Sequence, residues 1–80
     1  FLIFIKFANI PADFESLQIY NINGELITEF NRNEIIPSGN NVTIKWDGRN
    51  RYGREAASGI YIYIVKTASS KRIGKLGVVK

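Results

Sequence analysis

The sequence predicts an all-β fold, an antiparallel sandwich of about seven short strands. Three observations carry that reading. Short runs rich in β-branched and aromatic residues recur along the chain, separated by clusters of Gly, Pro, Asn and Ser. No 3.6-residue apolar period persists beyond one turn, so no helix competes for the same segments. Asn23-Gly24 lies between two such runs, the strongest short hairpin signal there is. A small five-stranded barrel of the oligonucleotide-binding kind is the alternative architecture.

The 80 residues make one domain, residues 1–80, whose core burial only slightly exceeds the entropy of ordering the chain. Residues 1–7 (FLIFIKF) are nearly continuous apolar, as in a strand buried on both faces or closing an edge. They are too short to span a membrane, and a buried strand accounts for them better than the tail of a signal sequence. Residues 9–13 break the run, because Pro11 cannot donate to a ladder. Residues 16–22 form the next strand, with Leu17 and Ile19 on one face and Gln18, Tyr20 and Ile22 on the other. Asn23-Gly24 turns the chain in a type I′ hairpin, and residues 25–30 return.

Residues 31–40 are polar and turn-rich around Ile35-Ile36, a pair that plugs the open side of the core or forms a short strand. Residues 41–46 alternate, with Val42, Ile44 and Trp46 facing in and Thr43 and Lys45 facing out. A connector over 47–58 follows. Residues 59–67 (GIYIYIVKT) then read as a central strand, apolar on both faces: Ile60, Ile62 and Ile64 on one, Tyr61, Tyr63 and Val65 on the other. Residues 68–71 turn, and residues 72–80 close the chain as a last strand.

The composition excludes most chemistry. There is no His and no Cys, which removes most nucleophile–base pairs, sulfur-based zinc sites and disulfides. Asp47 and Glu55 could pair, but an Asp before Gly at a strand end caps a turn through its side-chain oxygen. Residues 47–50 lack the alternating oxygen ligands of a calcium loop. Gly48, Gly53 and Gly59 resemble a phosphate-cradling loop only superficially, since no helix follows. The sequence therefore predicts no catalytic residue, no metal and no cofactor. Asn41-Val42-Thr43 is a formal glycosylation acceptor but sits in a predicted strand. Trp46 shares parity with Val42 and Ile44, which favours a core tryptophan over a carbohydrate platform.

The net charge is +4, divided unevenly: residues 1–40 carry two basic and five acidic side chains, residues 41–80 nine basic and two acidic. Arg49, Arg51 and Arg54, with Tyr52, Tyr61 and Tyr63 nearby, are the best case for nucleic acid, basic groups meeting phosphates and rings stacking on bases. The tyrosines of the 59–67 strand read as buried, however, so nucleic acid is not expected as a partner. Arg49, Arg51, Tyr52 and Arg54 remain as surface-binding candidates for carbohydrate or protein. With no Met, the chain reads as a processed product or a piece of something longer. An exposed first or last strand could pair with a neighbouring chain, so a dimer through sheet edges is an open expectation.

One stretch is more specific than the rest. Trp46-Asp47-Gly48-Arg49-Asn50, Gly53, then Ser58-Gly59-Ile60-Tyr61-Ile62-Tyr63 and Gly74-Lys75-Leu76-Gly77-Val78-Val79-Lys80 form one half of a pattern. The other half is Ile10-Pro11-Ala12 with residues 17–27, through Asn23-Gly24. Together they resemble the immunoglobulin-like domain of the flagellar hook-capping protein, and the related C-terminal modules of secreted bacterial proteins, including type IX secretion sorting domains. The resemblance spans nearly the whole chain. It implies a seven-stranded immunoglobulin-like sandwich at the C-terminus of an exported bacterial protein, acting in sorting, surface attachment or assembly. Partners would be the upstream domains and the secretion or surface-assembly machinery, without membrane insertion. It gives Trp46 and Tyr61 core roles and Gly48, Gly53 and Gly59 turn roles, and it transfers no catalytic residue.

Overall fold

The computed structural model describes residues 5–35 and 41–79. Six strands and one short 3₁₀ turn follow in order: β1 Ile5–Pro11, β2 Phe14–Asn21, β3 Leu26–Asn31, the turn Arg32–Glu34, β4 Asn41–Trp46, β5 Gly59–Thr67 and β6 Lys71–Val78. All pairings are antiparallel. One sheet has the order β3-β2-β5-β6 and the other is the pair β1-β4. The two face each other as a sandwich, with the core between them.

Burial follows the expected alternation where the strands are regular. Leu17 and Ile19 on β2, and Val42, Ile44 and Trp46 on β4, are almost fully buried. Tyr61 and Val65 join them from β5, and Val78 from β6. Two edge-to-face ring contacts cross between the sheets, Trp46 with Tyr61 at 5.6 Å and Phe7 with Tyr63 at 5.2 Å between centroids. Such pairs add roughly 0.5–1.5 kcal/mol beyond burial.

Three β-bulges set which residues reach the core. Between Phe7↔Ile44 and Ile10↔Val42 the first strand has one residue more than its partner, and Asn9 takes φ 59° there. Asn tolerates the left-handed region better than most residues. The extra residue restores parity, so Ile10 is buried instead of facing water. Glu15 does the same on β2, allowing both Phe14 and Leu17 to point inward. On β3 the extra residue is Ile27, which packs on the core beside buried Thr28.

These bulges correct several sequence expectations. The break expected over residues 9–13 is confined to the turn at 12–13: β1 runs on to Pro11, because the irregularity at Asn9 is a bulge and, among the described residues, β1 pairs on one side only. Phe14, assigned to no strand from the sequence, opens β2 and is fully buried. Ile22 is not a strand residue but lies in the turn, 71% exposed. That turn is not type I′ either, since Asn23 does not have positive φ and Gly24 does, at 84°. The face of β5 bearing Ile60 is open, with Ile60 51% exposed, because among the described residues no second layer covers that side of the sheet. Ile35 packs against the core, as expected of a plug, while Ile36 lies outside the described residues.

Trp46→Ala should cost about 3–5 kcal/mol, the range for losing a buried aromatic, measured by urea denaturation. A loss below about 1 kcal/mol would contradict the burial of this ring.

Candidate functional site

The connector between β4 and β5 is a folded loop, not a tether. Its first residues are fixed by β4: the Trp46 Nε1–H donates to the Arg49 carbonyl at 2.8 Å, and the Asp47 Oδ1 accepts the Arg49 N–H at 3.0 Å. Asp47 thus caps the turn as expected. Gly48, at φ 78°, then lets the Ala56 N–H reach its carbonyl at 2.8 Å. Arg49 and Glu55 form a small antiparallel bridge, closing residues 50–54 into a hairpin loop.

That loop repeats, bond for bond, the β2–β3 hairpin. In each, an Asn side-chain oxygen accepts the N–H groups two and four residues on: Asn21 from Asn23 and Glu25, Asn50 from Tyr52 and Arg54. The Asn N–H donates to the fifth residue's carbonyl, and its own carbonyl accepts from the glycine at the fourth. Gly24 and Gly53 sit at φ 84° and 83°. This is the geometry of a three-residue hairpin loop with glycine at its left-handed position. The signal Asn-x-x-Gly was present twice in the sequence. Asn21, not Asn23 of the Asn23-Gly24 dipeptide, organises the turn.

The surface-binding candidates divide within this loop. The Arg49 guanidinium donates to the Gly53 carbonyl at 3.0 Å and lies 3.9 Å from the Asp47 carboxylate, so it holds its own loop. Arg51 and Tyr52 form the tip: the guanidinium sits 5.1 Å from the Tyr52 ring centroid, and Tyr52 is 75% exposed. Arg54 is exposed beside them. The Arg51 N–H bonds the Ile27 carbonyl at 2.8 Å, docking the loop on the free edge of β3. Tyr61 and Tyr63 lie on the core-facing side of β5 and are not part of this tip. Tyr61 donates its hydroxyl to the Ala57 carbonyl at 2.6 Å, and Gly59 opens β5 at φ 156°. Trp46 is buried under the loop and presents no platform for a sugar.

A second concave feature was invisible in the sequence. The bulged stretch Lys6 to Pro11 faces Tyr63, Val65 and Arg72 across a cleft of about 270 Å³. Its residues come from three strands far apart in the chain, so no local motif announces it. Among the described residues no group of three or more acidic side chains is placed to hold a metal.

No family model, curated protein or solved structure matches the chain.

Asn50→Ala should lower stability by about 0.5–1.5 kcal/mol, the range of a net hydrogen-bond loss at an exposed site. Gly53→Val should cost at least about 1–2 kcal/mol through left-handed strain. Thermal melts of the two variants would reveal a loop that is not held this way if both were neutral.

Proposed function

We propose that this is a non-catalytic, immunoglobulin-like module of a larger exported bacterial protein, acting in sorting, surface attachment or assembly. The supporting observation is the strand order together with one tyrosine. β2, β5 and β6 fall in the order of strands C, F and G, with β3 in the place of C′, while β1 and β4 pair as B and E do. Tyr61 lies near the start of β5, the F position, and its hydroxyl bonds the backbone four residues upstream. Immunoglobulin sandwiches use this tie at the same corner. The residues of the Trp46–Tyr61 signature act in the fold itself, in a ring contact, a cap and turns, which suits a module that displays surfaces instead of performing chemistry.

The test is a reporter carrying a cleavable export signal at its N-terminus and residues 1–80 at its C-terminus, expressed in a bacterium with outer-membrane sorting machinery. The expected outcome is reporter on the surface or in the medium. Retention in the periplasm with the module folded would remove the sorting role.

A second reading has its own observation, the exposed Arg51–Tyr52 tip on a rigid loop. It makes the connector a binding site for carbohydrate or protein. Arg51→Ala with Tyr52→Ala should abolish saturable binding on a glycan array or to a native lysate while leaving the melting temperature unchanged; Arg49 is left intact because it holds the loop. No binding by the parent chain would sink this reading.

A further inference from the structure

The smaller sheet is short of cover. Two strands face four, and both inter-sheet ring contacts reach β5. At the β6 side the inner face ends in Gly74 and Arg72, the cross-strand partners of Tyr63 and Val65. The outer end of the Tyr63 ring lies over Gly74, where any Cβ would collide with it. Arg72 beyond it is exposed. Opposite stands β1, which among the described residues pairs only with β4, so that within them its other edge leaves backbone donors and acceptors open. The cleft therefore has a strand edge as one wall and an apolar floor of Phe7, Ile10, Tyr63 and Val65.

Its charge is one-sided. Lys6 and Arg72 line it, and no carboxylate does. Its volume, about 270 Å³, lies just under the roughly 300–1,000 Å³ of small-molecule sites. That suits one or two side chains of a peptide better than a whole cofactor. Asn9, a non-glycine residue with positive φ, sits in the same wall, and such strain clusters at ligand clamps.

We propose that this cleft binds an extended segment of a partner polypeptide in which apolar residues alternate with acidic ones. The segment lies along the free edge of β1 as an added strand, the mode by which sheet edges take peptides. Its apolar side chains pack against the Phe7–Tyr63 ring pair from the open side of the cleft, and its carboxylates meet Arg72 and Lys6. The site is separate from the connector and does not depend on the export reading.

The probe is a fluorescein-labelled octapeptide alternating valine with glutamate, followed by anisotropy against the full chain. Controls are the same peptide with lysine for glutamate, and one with proline at alternate positions, which cannot pair with an edge. The valine–glutamate peptide should bind saturably, and both controls at least tenfold more weakly. Arg72→Glu and Lys6→Glu, checked for unchanged melting temperature, should each weaken it tenfold or more. Arg72→Glu should at the same time improve binding of the lysine peptide. The proposal is overturned by no saturable binding, or by binding that both charge reversals leave unchanged. It is overturned too if Arg51→Ala with Tyr52→Ala abolishes binding, which would place the site on the connector. Sedimentation supplies two more outcomes against it. Dimerisation of the parent chain that Arg72→Glu abolishes would make a second copy the occupant. Failure to bind, with aggregation only in an Arg72→Val variant, would make Arg72 an edge guard. A longer form of the protein that no longer takes the probe would assign the cleft to its own preceding residues.

Discussion

Trp46 is the side chain at which both sheets and the connector meet. Its ring, at the end of β4, packs edge-on against Tyr61 of the opposite sheet, and its indole N–H holds the Arg49 carbonyl. Burial of an indole leaves a donor that has to be satisfied. Here the partner is a backbone carbonyl three residues on, so satisfying the donor also bends the chain out of the strand. Tyr61 performs the matching task at the far end of the connector, bonding the Ala57 carbonyl just before β5 begins. The two rings touch, and each anchors one end of the same loop.

The connector itself is then built from backbone and short polar side chains. Asp47 and Asn50 supply oxygens to N–H groups that a strand would have paired, and the glycines take the left-handed angles those closures demand. The result docks on β3 through Arg51, covering part of an edge that would otherwise be open to other chains. Among the described residues the edge of β1 has no such cover. It carries a bulge, Pro11 at its end and two cations nearby, and a cleft lies beneath it. The proposed peptide site lies at the edge of β1, and the connector covers the edge of β3.

How much of this was legible beforehand depended on parity. Val42, Ile44 and Trp46 alternate without interruption, and the sequence located them on one buried face. The hairpin between β2 and β3 and the central place of β5 were equally plain, because Asn-Gly and a long β-branched run are local signals. Phe14, Ile10 and Ile27 were not legible, since each lies beside a bulge, and one extra residue reverses every inference drawn from alternation. The turn type failed for a related reason: the organising residue was Asn21, whose strand position hid its role as a side-chain acceptor. Of the proposed surface residues, Arg51, Tyr52 and Arg54 are displayed, whereas Arg49 is engaged in its own loop.

By itself, then, the sequence determined the all-β class, the identity of the regular strands and the burial of Trp46. Those properties follow from period-two patterning and turn chemistry, which act over a few residues. Only the tertiary structure decided where parity shifts, that the connector folds onto β3, and that Lys6 and Arg72 border one cleft although 66 positions separate them in the chain. The reason is physical. A bulge is favoured only when the partner strand and the core reward the residue it turns inward, and a cleft exists only once strands distant in the chain have taken their places.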